Sequence, residues 1–281
     1  MTTLHKMKNF SLSFFMIIML ILGSCTNDGE IDNTPELGLL KKIEGSANGY
    51  VTDITELSYD QNQRLTSLKQ FQGNHATLTY DVTYIEGAIN AVKKTYHWHP
   101  QHADTTTIVD YDVTYQNKEI ILTEQNSVNK MVFETTDGYV DSFKIYWGDN
   151  NEYIDESVFK RDANNNIDST FNYTTNQSDN HLLIWNYAYS DFDVNANLNS
   201  AYNPVFNYSF SVYIPLMGVM LNLKISKETP LKSSFSDGHG TYREENITAK
   251  MLEYEYGLLK KISYEYVDYP ENDYHLEFDY Y

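Results

Sequence analysis

The chain has 281 residues, with 20 Lys and Arg against 39 Asp and Glu, a formal net charge of −19. A surface this acidic repels phosphate backbones, which excludes nucleic acid as a partner. One cysteine in the whole chain excludes an internal disulfide and a cysteine-rich metal site.

The first element is a secretory signal over residues 1–24. Lys6 and Lys8 form its basic start, Phe10 to Leu22 its apolar core, and small residues precede its end. Met7 would open the same signal as well as Met1 does. The apolar run is about 13 residues, short of the roughly 20 that a spanning helix needs. Leu22-Gly23-Ser24 stand directly before Cys25, and the stretch resembles a bacterial lipobox. That resemblance implies cleavage before Cys25, a diacylglycerol on its sulfur and an acyl chain on its amine. No other cofactor is expected. Each acyl methylene adds about 0.8 kcal/mol of membrane affinity, so two or three chains hold the protein to a membrane without a span. Cleavage removes two lysines and no acid, so the mature chain is two charges more negative still.

Residues 25–36 follow as a polar tether, with Asn27, Asp28, Gly29, Glu30, Asp32, Asn33 and Pro35. Asp28, Glu30 and Asp32 resemble the acidic export signal of Bacteroidota lipoproteins. This implies the outer membrane, with the cell surface favoured over the periplasmic face.

Residues 37–281 read as one all-β domain. Apolar and polar residues alternate, and helical periodicity is nearly absent. Leu78, Tyr80, Val82 and Tyr84 oppose Thr77, Thr79, Asp81 and Thr83; Val109, Tyr111, Val113 and Tyr115 oppose Asp110, Asp112 and Thr114. Such strands have one buried and one wet face. Many of the 25 tyrosines lie on them, where the ring is buried and the hydroxyl stays available. The strands come as hairpins: Leu57 to Asp60 turns into Arg64 to Leu68, and Val158-Phe159 turns through Asp162 to Asn166 into Ile167. Leu39-Leu40-Lys41-Lys42-Ile43 recurs as Leu258-Leu259-Lys260-Lys261-Ile262. The expected fold is an antiparallel meander of about a dozen strands, curled or closed into a barrel where these two end strands meet. Helix is expected only in the signal and in short turns within residues 191 to 246.

The hairpins resemble the YD repeats of Rhs-type proteins. The nearest copies are Tyr59-Asp60 with Arg64-Leu65-Thr66-Ser67, and Arg161-Asp162 with Asn166-Ile167-Asp168-Ser169. Gln63 and Asn165 stand where that pattern has its turn glycine, and Arg161 stands where it has its tyrosine. The whole domain is similar to uncharacterised YD-repeat-like lipoproteins of Bacteroidota. The resemblance implies a fold and a location but no activity.

Two stretches break the rhythm, Asp191 to Pro204 and Lys227 to Asn246, with the apolar Val212 to Ile225 between them. Long loops in a β domain are more often functional than the strands they join. His97, His99, His102 and Asp104 form a candidate metal cluster, because His97 and His99 point the same way on a strand. A plain hairpin end with exposed aromatics competes with it. Trp98 among them suits stacking on a sugar ring. Asp162, Asn164, Asn166 and Asp168 imitate half a calcium loop without its glycine or final glutamate, which favours a plain turn. Asp104-Thr105-Thr106 and Asp168-Ser169-Thr170 resemble Bacteroidota O-glycosylation triplets. No catalytic constellation stands out. The sequence therefore points to a lipid-anchored binding module for a glycan or an envelope protein. A glycoside hydrolase with unrecognised carboxylates, or a structural or lipid-carrying role, is the alternative.

Overall fold

The computed structural model describes residues 39–72, 76–98, 105–148, 153–175, 181–193, 221, 223–237, 247–266 and 269–281. The signal, Leu22, Gly23, Ser24, Cys25 and the tether lie outside the described residues.

Among the described residues all regular structure is strand. In chain order these are β1 (Leu40–Ala47), β2 (Tyr50–Tyr59), β3 (Leu65–Gln72), β4 (Ala76–Ile85), β5 (Ala88–Trp98), β6 (Thr105–Gln116), β7 (Glu119–Glu124) and β8 (Lys130–Thr136). There follow β9 (Tyr139–Trp147), β10 (Tyr153–Arg161), β11 (Ile167–Thr175), β12 (His181–Asp193), β13 (Thr229–Asp237), β14 (Ile247–Glu255), β15 (Leu258–Tyr266) and β16 (Tyr269–Tyr280). Each pairs antiparallel with its sequence neighbours, and β1 pairs with β16 to close a barrel. Sixteen strands exceed the expected dozen. The strand absent from the expectation is Thr229–Asp237, which lies within the Lys227 to Asn246 stretch expected as a loop and whose mostly polar residues carry little apolar alternation.

Closure also differs from expectation. The two Leu-Leu-Lys-Lys-Ile copies do not meet. They sit in β1 and β15, and β16 lies between them, with Ile43 opposite Phe278 and Ile262 opposite Leu276. The barrel is thus eight hairpin units, one of them split between the two ends of the chain.

The wall has a clear polarity. Leu68, Tyr80, Leu122, Phe133, Ile167 and Ile262 point inward and are fully buried. Outward positions carry charge: Lys144 bonds Glu134 at 2.9 Å and lies 3.4 Å from Glu156, and Lys261 lies 3.1 Å from Glu277. A membrane-spanning barrel has the reverse pattern, with an apolar outside and a polar inside, and an outward lysine at mid-membrane costs about 2–4 kcal/mol. The described wall faces water.

Alternate hairpin turns share one end, here termed the base, with Leu40 and Tyr280. Several of its turns are two residues long with both φ positive, such as Glu86-Gly87 (51° and 87°) and Asp137-Gly138 (53° and 80°). That geometry matches strand twist and needs glycine in its second place. A tie between neighbouring units recurs at the base. The Tyr59 hydroxyl donates to the Leu40 carbonyl at 2.9 Å, Tyr84 to Leu65 at 2.9 Å, and Tyr280 to Leu259 at 2.8 Å. Thr135 donates to Lys118 at 3.1 Å in the same way, and Arg161 to Val140. Arg161 also reaches the Ile225 carbonyl at 3.1 Å and Asp141 at 2.8 Å. Leu221, Leu223 and Ile225 are buried in the core, and Lys224 bridges Tyr139. This segment seals the base.

Candidate ligand-binding site

The other end, the mouth, has a different inner wall. On three strands the inward side chains pass from buried to exposed as the strand approaches it. Val92 is 1% exposed and Trp98 41%; Phe143 is 1% and Trp147 43%; Tyr187 is 8% and Leu182 50%. The opening is uneven, because Leu78 and Met131 at a similar level stay buried. Among the described residues this end is a partly exposed inner wall above an apolar floor, here termed the bowl.

Its chemistry changes with depth. From β9 to β12 the inward residues are Trp147, Asp155, Ser157, Asn172, Thr174 and Trp185, as their registers show. The Trp147 indole nitrogen donates to Asp155 at 3.2 Å, and the Thr174 hydroxyl donates to the other Asp155 oxygen at 2.8 Å. The Ser157 hydroxyl donates to the Asn172 side-chain carbonyl at 2.6 Å. Asn172 is only 6% exposed, and its amide nitrogen and the indole nitrogen of its cross-strand partner Trp185 have no acceptor among the described residues. A buried donor left so costs about 1–3 kcal/mol. Across β5 to β7, Lys94 and Glu124 face inward. Burial lowers the pKa of Lys94, and the Glu124 charge pulls it back up.

Trp98 belongs to this wall. Its ring stacks on Tyr96, with centroids 6.1 Å apart and planes at 30°. His97 is one residue away and therefore on the outer face, where its Nδ1 lies 2.6 Å from the Thr106 hydroxyl. His99, His102 and Asp104 lie outside the described residues, so the structure describes only His97 of that cluster. The alternation separates His97 from Trp98. Asp162 serves its turn: its carboxylate accepts from the backbone of Asn164 at 2.8 Å and of Asn166 at 2.9 Å. Asp60 does the same for Asn62 and Arg64, both at 2.9 Å, so the two copies of the repeat make one turn. Thr170 is fully buried on the inner face.

Sequence reasoning missed Trp147, Asp155, Asn172 and Trp185 as a group. A signal was present: on β10, Asp155 and Ser157 continue the inward parity of Phe159 with polar residues. A second cavity, of about 340 Å³, lies where β13 and β14 part, beside Tyr189, Ser190, Lys232, Ser233 and Thr248. Among the described residues these strands pair only at Lys232 with Thr248 and Ser233 with Ile247.

No protein-family model matches the chain, and no curated protein matches it. Among solved structures, it is similar to a porin-like protein from Bacteroides vulgatus, at 12% identity, 87% of this chain and 99% of that one, with a TM-score of 0.48. It is also similar to a porin-like protein from Bacteroides uniformis, at 10% identity, 88% of this chain and 100% of that one, with a TM-score of 0.44.

Proposed function

We propose that this chain is a lipid-anchored protein of the bacterial outer membrane whose barrel binds a glycan in the bowl at its mouth. One observation carries the binding reading. Trp98 and Trp147 hold inward positions yet remain 41% and 43% exposed, above a wall that bears Asp155, Asn172 and Thr174. Indole faces stack on sugar rings, while carboxylate, amide and hydroxyl groups bond sugar hydroxyls. A concave site with few polar groups among aromatics is the usual form of a small-ligand site. The anchor reading is supported by Leu22-Gly23-Ser24-Cys25 and the acidic tether. The charged outer wall fits a barrel held at a membrane without crossing it. Of the Val212 to Ile225 segment on which the lipid-carrier reading turns, Leu221, Leu223 and Ile225 pack into the core, and 212–220 and 222 lie outside the described residues.

Screening the protein against host and microbial glycans tests the reading. Trp98→Ala or Trp147→Ala should weaken any hit at least about tenfold, near 1.4 kcal/mol. A screen without hits, or variants that bind like the parent, would sink it. For the anchor, Cys25→Ser should abolish labelling by radioactive palmitate. Parent protein that takes up no label refutes the lipid.

A further inference from the structure

Two hydrogen-bond donors stand together on the inner wall with nothing to bond. Asn172 on β11 and Trp185 on β12 are cross-strand partners. Thr170 and Tyr187 take the same inward parity two residues deeper, and both are buried. Trp185 packs against the core, and Asn172 is 6% exposed. The Asn172 side-chain oxygen accepts from Ser157 at 2.6 Å, so its nitrogen is the end left over. Neither that nitrogen nor the Trp185 indole nitrogen has an acceptor among the described residues. Folded proteins seldom strand one buried donor, and here two are adjacent. Cross-strand partners hold their Cβ atoms about 4.5–5.5 Å apart, so one oxygen can accept from both.

The wall above them indicates what carries that oxygen. Asp155 and its partner Thr174 stand two residues nearer the mouth, about 7 Å along the strand. Trp147 and Thr174 each give Asp155 one hydrogen bond. A carboxylate accepts about four, so acceptor capacity remains. The wall thus presents a pair of donors below and an acceptor above. A secondary amide has the complementary pattern, a carbonyl oxygen at one end and an N–H at the other. Its oxygen and nitrogen lie about 2.3 Å apart, and a hydrogen bond of about 2.9 Å at each end lets it span roughly 7–8 Å. Ile145, opposite Asp155 on β9, is an apolar neighbour for a methyl group. A carboxylate would also satisfy the two donors, but it would stand beside Asp155 in a chain of net charge −19. A hydroxyl brings its own hydrogen to a place that already has two.

We propose that the bowl recognises 2-acetamido sugars, with the acetamido carbonyl on Asn172 and Trp185 and the acetamido N–H on Asp155. This rests on the glycan reading above and names the class of sugar that fits it.

Calorimetric titration of the purified full chain with matched disaccharides tests it. The β-1,4-linked glucose dimer, its 2-amino counterpart and its 2-acetamido counterpart differ only in the group at issue. The acetamido dimer should bind at least about tenfold more tightly than the other two, because a site with buried polar groups rejects an analogue that leaves them unpaired. An acetamido dimer bearing an added lactyl carboxylate, as cell-wall fragments do, should bind more weakly than the neutral one, which tells a wall source from other glycans. Trp185→Phe removes the indole N–H and keeps a ring, and Asn172→Ser removes the amide nitrogen and keeps an acceptor for Ser157. Each should abolish most of the acetamido preference. The comparison of sugars on the native protein stands even where a variant does not fold. Equal binding of the three dimers, as a buried water on the two donors would give, overturns the inference. So does tighter binding of the carboxylated dimer, or a preference that survives in the folded variants. Glycans that bind without acetamido groups overturn this inference alone; no glycan binding in either experiment overturns the glycan reading with it.

Discussion

The base and the mouth are ends of the same hairpins, yet they are built by opposite rules. At the base, several turns are short, the inner wall is apolar and a side chain ties each of several units to the carbonyl of the one before. At the mouth, inward positions hold Trp98, Trp147, Asp155 and Thr174, and exposure rises along the strands. The difference shows how a barrel of hairpins divides its work. One end carries the interactions that specify closure, and the other is free to hold groups that contribute little to folding.

The largest contrast is expected between a floor residue and a mouth residue. Phe133 is fully buried against Phe143, with centroids 4.6 Å apart. Phe133→Ala should cost about 3–5 kcal/mol by chemical denaturation. Trp147→Ala, at 43% exposure, should cost about 1 kcal/mol while removing ligand binding. Equal costs would mean that the mouth is as much core as the floor.

Arg161 comes next. Its side chain is 11% exposed and holds Val140, Ile225 and Asp141 together. Arg161→Ala should cost about 3 kcal/mol, because it strips carbonyls of donors and unpins the sealing segment. Arg161→Lys should not rescue it, since one ammonium cannot reproduce the fork. Proteolysis within residues 221 to 228 should accelerate in step. Unchanged cleavage would show that the seal is independent of the arginine.

The tyrosine ties predict an alkaline limit. Burial lifts Tyr59 from 10.0 to about 12, with a smaller push from Tyr281, and burial does the same to Tyr280. The folded state therefore favours the protonated phenol. Stability from these groups is full below pH 10 and is lost as pH rises through about 12. Tyrosinate absorbance and circular dichroism should change together in that window. Tyr59→Phe should lower stability at neutral pH by about 0.5–1.5 kcal/mol and flatten the alkaline loss.

The smallest effect compares the two copies of the repeat turn. Gln63 and Asn165 hold φ of 62° and 66° at the same place. Gln63→Gly should stabilise by about 1 kcal/mol, and Asn165→Gly by less, because asparagine tolerates that conformation better. The reverse order would mean that side-chain contacts, not backbone strain, set the residue at this position.

Much of this was written in local sequence. Period-two alternation fixed which residues of β4 and β6 face inward, since neighbouring side chains on a strand must point to opposite faces. The turn chemistry of Asp60 to Arg64 and of Asp162 to Asn166 was readable for the same reason: each turn is closed by its own side chain and backbone. The pairing of β1 with β16 was not readable, because it joins residues from opposite ends of the chain and depends on all the intervening twist. The strand Thr229–Asp237 was not readable either, because its mostly polar residues carry little apolar alternation. The bowl wall was least visible of all. Trp147, Asp155, Asn172 and Trp185 come from four strands, each with an unremarkable polar or aromatic residue, and only barrel register brings them to one surface. Alternation tells a side chain which face it takes; closure alone decides which other side chains share that face.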